Sequence, residues 1–291
     1  MAMTTIRNVL IAGGISVLAV TGIALAAGTG PEDGYKMKHP DWKFAGATGY
    51  LDQEAMQRGY QVYREVCRAC HNLDHLAFRH LGDKGGPFYD PNYPNPSDNP
   101  LVKNIAADYI VEDIDNETGD VIERPGIPAD YFPPVYPNEV AARATNGGAL
   151  PPDLSVITKA RTDGVDYLYN LMLGYDHPMP ADKELSAGTY YNPVMPGGAI
   201  AMPPQLQPLE GVFEYQSELE GQNPPEATVE QMTKDLTTFL VWAADPKMQA
   251  RKNVGMMSLI YLLILAVLLW LSYKRIWRPL KEQGKDRGDL A

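Results

Sequence analysis

The sequence predicts a mainly α-helical fold with long irregular loops and one C-terminal helix able to cross a membrane. Three observations carry this expectation. Apolar residues recur at helical spacing in "LDQEAMQRGYQVYREVCRAC" and again between Val229 and Ala243. Residues 253–273 contain no charged side chain. The 291-residue chain also holds 25 prolines and 26 glycines, which punctuate it with turns and loops.

The elements follow in chain order. Arg7 precedes an apolar stretch from Val9 to Ala26 that ends in Ala24-Leu25-Ala26. A basic start, a short apolar core and a small-residue site describe a secretory signal, so residues 1–26 are expected to be cleaved rather than retained as a membrane helix. Residues 52–70 predict a helix whose one face carries Met56, Gly59, Tyr60, Tyr63, Val66, Cys67 and Cys70. Residues 138–146 and 164–173 predict short helices, the second ended by Gly174. Thr228 and Gln231 form a capping-box pattern that opens a helix with the apolar face Val229, Met232, Leu236, Phe239, Leu240 and Ala243. Asp245-Pro246 closes it.

At about 1.5 Å per residue, some 20 residues cross a hydrocarbon core of roughly 30 Å, and residues 253–273 meet that length. Beyond them lie Lys274, Arg275, Arg278, Lys281, Lys285 and Arg287, a basic tail of the kind that stays cytoplasmic. The expected organisation is therefore a leader at 1–26, an exported domain at 27–252 on the periplasmic side of an inner membrane, an anchor at 253–273 among membrane lipid, and a cytoplasmic tail at 274–291.

Formal net charge is −11. Arg7 and the net +3 that follows residue 252 account for +4, so residues 27–252 carry −15. No nucleic-acid partner is expected, because phosphate binding needs a basic face. Eight carboxylates (Asp98, Asp108, Glu112, Asp113, Asp115, Glu117, Asp120 and Glu123) face Lys103 alone between residues 98 and 123. Such a run is either a solvated loop or a docking surface for a basic partner.

Cys67 and Cys70 are the only cysteines, and His71 follows at once. Three chemistries use such spacing. A redox pair belongs near a strand-to-helix turn, whereas this pair ends a helix. A structural zinc ion takes four ligands, and no second close pair of Cys or His is present. The remaining chemistry is covalent haem: two thiols three positions apart add to two vinyl groups on one edge of the porphyrin, and the histidine that follows is brought beneath the ring to bind iron. For the opposite face, His75 and His80 follow too soon, while His39 and His177 remain possible. Methionine is the common partner in electron carriers, and Met179 in "HPMP", Met195 in "PVMPGG" and Met202 in "AIAMPPQ" lie in Pro/Gly-rich loops suited to that role.

Around this motif the chain resembles the cytochrome c1 family, the membrane-anchored haem c subunits of cytochrome bc1 complexes. The resemblance rests on "VYREVCRACH", "NGGALPPDLSVITKAR", "DYLYNLMLGY", "YYNPVMPGGAIAMPPQL" and "DLTTFLVWAADP", spread over residues 45–275. It implies a class I cytochrome c-like haem domain with its first and last helices packed together, and one covalent haem c on Cys67, Cys70 and His71. It selects Met202, the methionine of the G-x-A-I-x-M-P stretch, as sixth ligand, and places Arg161, with Tyr167 nearby, at a haem propionate. It further implies electron entry from a Rieske iron–sulfur protein, exit to a soluble or membrane-anchored cytochrome c, and association with cytochrome b, within a quinol-oxidising, proton-translocating enzyme whose substrate chemistry lies outside this chain. Residues 88–135, rich in Pro, Asp and Tyr, fall outside the resemblance. Some bacterial members hold a comparable insertion closed by a disulfide, for which this chain has no cysteines. Two competitors are a free-standing anchored cytochrome or oxidase c-subunit, and a membrane-tethered thiol–disulfide oxidoreductase.

Overall fold

A computed structural model describes residues 34–216 and 223–288, with side chains to residue 282. The leader at 1–26 lies outside the described residues.

Helix α1 spans Gln53–Glu65, and the Asp52 carboxylate caps it by accepting the amides of Glu54 (3.2 Å) and Ala55 (3.3 Å). It is shorter than the sequence pattern predicts. Val66 leaves helical geometry at φ −118°, and Cys67–Ala69 form a single 3₁₀ turn in which the Cys70 amide turns back to the Cys67 carbonyl at 3.1 Å. The cysteines thus sit on a tight turn beyond the helix.

Helix α2 (Pro100–Ala107) and a hairpin of β1 (Ile110–Ile114) and β2 (Val121–Pro125) occupy the acidic stretch. They are followed by α3 (Glu139–Thr145), α4 (Gly164–Leu173), a two-residue ladder of β3 (Tyr190–Tyr191) with β4 (Ala199–Ile200), and α5 (Val229–Ala244). The Thr228 hydroxyl accepts the Gln231 amide at 3.1 Å, but the Gln231 side chain turns to Asp235 (3.0 Å), so only half of the expected capping box forms.

The core is built on α1 crossing α5. Met56, Tyr60 and Tyr63 from α1 meet Met232, Leu236, Phe239 and Leu240 from α5, all almost fully buried. Gly59 makes the close approach possible: a Cβ there would stand 2.0 Å from the Asp235 carbonyl oxygen and 2.7 Å from the Phe239 Cβ. Beside it, Arg58 forks onto the buried Asp235 carboxylate (2.8 and 2.9 Å), which also accepts the Tyr215 hydroxyl at 2.9 Å. Gly59→Ala forces the helices apart and is expected to destabilise the domain by about 2 kcal/mol, lowering its thermal midpoint by about 4–8 °C. Circular dichroism on heating reads this directly, and an unchanged midpoint contradicts the close packing.

The acidic stretch is more than a solvated loop. Val102, Ile105 and Ala106 of α2 are buried in the main core, as is Phe132, whose ring lies 4.4 Å from that of Phe78. Arg124 bonds Asp113 (2.5 Å) and Asp130 (2.6 and 3.0 Å), tying the hairpin to the segment that follows, and holds both carboxyls below their usual range. Glu112 and Glu123 face each other across the outer side of the hairpin between exposed Ile110, Ile114 and Val121.

The last helix, α6, runs from Met248 to Gly288, longer at both ends than the uncharged stretch within it. Its residues 248–282 have a mean hydropathy of 2.6 in their most apolar window, none of it buried against the protein. This is the one helix among the described residues with the length and apolar character to span a bilayer, and it gives the chain the form of a single-pass membrane protein. Its first turn is rooted in the domain: Lys252 donates to the carbonyls of Phe44 (2.6 Å) and Gly49 (3.1 Å), and Arg251 pairs with Asp245.

Candidate functional site

Cys67 and Cys70 are not bonded to each other. Cys67 packs against the main core, and burial pushes its thiol up to about 12. A redox relay works through the thiolate, so this environment makes Cys67 a poor attacking thiol.

His71 is held from both sides. Its Nδ1 lies 2.7 Å from the Pro152 carbonyl oxygen, which can only accept, so Nδ1 carries the proton and Nε2 keeps a free lone pair. Its own carbonyl accepts the Tyr63 hydroxyl at 3.1 Å. Burial lowers the imidazole pKa and so favours the neutral, ligating form. The Pro152 segment is itself fixed to the attachment loop: the Leu154 amide donates to the Asn72 carbonyl (2.9 Å), and the Asn72 side chain accepts the Val135 amide (2.8 Å).

The methionine loop is fastened to α4. Asn192 donates to the Leu171 carbonyl at 2.7 Å, and Gly174 leaves room for its side chain, since a Cβ there would meet the Asn192 Oδ1 at 2.6 Å. Past β4, the Met202 carbonyl accepts the Tyr175 hydroxyl at 2.8 Å. The Met202 side chain borders the main core, as Cys67 does, and also a second cluster built on Leu171, Val194 and Ile200. Met195 borders only the second cluster, and its sulfur accepts the Tyr167 hydroxyl at 3.7 Å. Met179 is 48% exposed.

The other histidines have different occupations. His39 lies 2.7 Å from Asp166, His75 is exposed beside Asp153, the His80 Nδ1 accepts the Ala77 amide, and the His177 ring packs edge-on against Tyr35. Arg161 is exposed and stands beside Tyr167, whose pKa burial raises while the guanidinium pulls it down. No carboxylate lies within ion-pair distance of Arg161 among the described residues.

These residues fit haem c. Two unbridged thiols, an imidazole with Nε2 free and a thioether on a separate loop are the donor types that a six-coordinate haem c calls for. The hydroxyl of Tyr175 and the carbonyl of Pro152 complete the support of the two axial candidates. Periodicity could not reveal either, because each acts on a residue far away in sequence.

Comparison with known proteins agrees. The Cytochrome C1 family profile matches residues 42–280. Cytochrome b/c1 of Bradyrhizobium diazoefficiens is 42% identical over 254 residues, covering 81% of this chain and 35% of that protein, so the chain spans about a third of its length. Mitochondrial cytochrome c1-2 of Solanum tuberosum is 40% identical over 93% of this chain and 96% of its own. Cytochrome c1 of Rhodospirillum rubrum is 35% identical over 96% of this chain and 100% of its own. The chain belongs to the cytochrome c1 family, the electron-transferring haem c subunits of the bc1 complex.

Proposed function

We propose that Cys67 and Cys70 hold haem c through thioethers, that His71 and Met202 supply the axial ligands, and that the domain passes electrons from a Rieske iron–sulfur protein to a cytochrome c. Haem c supplies a one-electron couple and, with both axial positions filled, no open site for oxygen chemistry. The observation that carries this reading is the His71–Pro152 contact, which orients a neutral imidazole beside two unbridged thiols. Cys67 and Cys70 would supply the two thiols, one to each vinyl group, with no other reactant needed. Pro152 fixes the imidazole tautomer, Tyr175 steadies the Met202 backbone, and Arg161, which donates to the Ala160 carbonyl (3.1 Å) and has no carboxylate partner among the described residues, offers its charge to a propionate, with Tyr167 at its side.

The leader at 1–26, the periplasmic domain at 27–252, the anchor at 253–273 in lipid and the cytoplasmic tail at 274–291 belong to the same proposal. It is supported by Arg7, the Ala24-Leu25-Ala26 site and the basic residues beyond Tyr273. Purification of the detergent-solubilised chain together with cytochrome b and an iron–sulfur protein tests the assignment to a complex. A chain that purifies alone, with its haem intact, is a free-standing anchored cytochrome.

The hairpin offers an acidic surface to a basic acceptor. Asp113 is engaged by Arg124, and Asp115 accepts the Glu117 amide in the turn, so these two support structure. Glu112, Glu117, Asp120 and Glu123 are exposed. Reversing these four to Lys is expected to slow second-order electron transfer to a basic cytochrome c by about tenfold at low ionic strength. The loss shrinks as the Debye length falls from about 30 Å at 0.01 M to about 10 Å at 0.1 M. A rate insensitive to both mutation and salt points to an acceptor already held nearby.

A further inference from the structure

Arg68 occupies one of the two positions between the cysteines, on the 3₁₀ turn that carries both thiols. The attachment spacing makes no demand on the residue type there. Its surroundings differ from those of two other partly buried arginines, Arg58 and Arg124. Arg58 is neutralised by Asp235, and Arg124 by Asp113 and Asp130. Arg68 has no carboxylate within ion-pair distance among the described residues. Its Nη2 donates to the Pro133 carbonyl at 2.5 Å, its guanidinium lies 5.7 Å from the centroid of the Tyr109 ring, and its Nε is buried without a partner. An aromatic face and a backbone carbonyl both favour a cation without cancelling its charge.

The two holders lie on either side of the hairpin in sequence. Tyr109 precedes β1, and Pro133 follows the buried Phe132. Tyr109 is itself fixed by its packing on Phe78 (5.0 Å between centroids) and Phe132 (5.5 Å). The guanidinium is therefore confined to one place, close in sequence and space to the attachment turn, in a domain whose charge is otherwise strongly negative. A guanidinium stays protonated throughout the accessible pH range. Ferric iron carries one more positive charge than ferrous iron, so a fixed cation nearby favours the reduced state.

We propose that Arg68 raises the reduction potential of the haem attached at Cys67 and Cys70, its unpaired guanidinium being clamped against the attachment turn by Tyr109 and Pro133. The proposal rests on the haem assignment above.

The test is potentiometric titration of the purified full-length holoprotein carrying Arg68→Gln or Arg68→Lys. Arg68→Gln keeps a donor for the Pro133 carbonyl and removes the charge; Arg68→Met serves instead if the Gln variant does not accumulate. The charge-free variant is expected to keep its covalent haem and its methionine-to-iron charge-transfer band. Its ferric–ferrous equilibrium shifts by about fivefold toward ferric, about 40 mV at 59 mV per tenfold, independently of pH near neutrality. Arg68→Lys stays within about twofold of the wild type because the charge remains. An unchanged potential in the charge-free variant overturns the proposal, as does an equal fall in Arg68→Lys, which makes the effect one of shape. Haem that extracts freely from the wild type defeats the attachment reading instead, before Arg68 is in question.

Discussion

Cys67→Ala and Cys70→Ala are each expected to lose most of the covalently attached haem, and the double variant all of it. Wild-type haem is expected to stay with the chain through acid–acetone extraction, because a thioether survives conditions that break axial ligation. The chain has no third cysteine to substitute for either thiol. The two positions are not equivalent in the fold. Cys67 packs on the main core, and its carbonyl accepts the amides of both Cys70 (3.1 Å) and His71 (2.9 Å). Cys70 lies at the end of that turn, so losing its thiol spares the packing while removing the bond next to the histidine. A pyridine haemochrome spectrum of the protein pellet reads the number of thioethers as well as the amount of haem. Wild-type haem that extracts into the solvent would falsify the assignment.

Much of this arrangement was legible in the sequence, for reasons that differ by element. The two core helices announce themselves by apolar periodicity: all six apolar positions expected on α5 are buried, although burial there extends round the helix to Thr233, Thr237 and Thr238 as well. Gly59 marks the crossing, although only the fold shows that the Asp235 carbonyl occupies the space a side chain would take. The end of α1 was not legible, because Val66, Cys67 and Cys70 continue the helical stripe while the backbone tightens into a 3₁₀ turn. The hairpin was hidden by its carboxylates. Its signal was present as Ile110-Val111 and Val121-Ile122 on either side of a Gly119 turn at φ 78°, but acidic residues dilute the alternation that identifies a strand. At the site, the Cys-x-x-Cys-His spacing speaks for itself. The choice among three loop methionines does not, and it came from the resemblance rather than from spacing. The Pro152 carbonyl that orients His71 lies 81 residues away in sequence, a relation no local pattern contains.

Met202→Leu is expected to abolish the methionine-to-iron charge-transfer band and to lower the reduction potential on the order of 0.1 V or more, within the roughly 0.8 V that axial ligands command. A thioether favours ferrous iron, and leucine has no lone pair to replace it. Three features of the loop favour Met202 over its neighbours. Its carbonyl is held by the Tyr175 hydroxyl, Pro203 and Pro204 restrict the backbone that follows, and its side chain reaches the core cluster that Cys67 also borders. Met195 lies seven residues earlier on the turn between β3 and β4, and its sulfur is engaged by the Tyr167 hydroxyl. Met179 is half exposed, so a ligand there would open the iron to water. Met195→Leu and Met179→Leu are therefore expected to keep both the band and the potential. Tyr175→Phe separates position from identity: it leaves the thioether in place, frees the backbone behind it, and is expected to weaken the band without removing it. If Met195→Leu is the change that eliminates the band, the Tyr167 contact belongs to a ligand in waiting and the sixth position passes from Met202 to Met195.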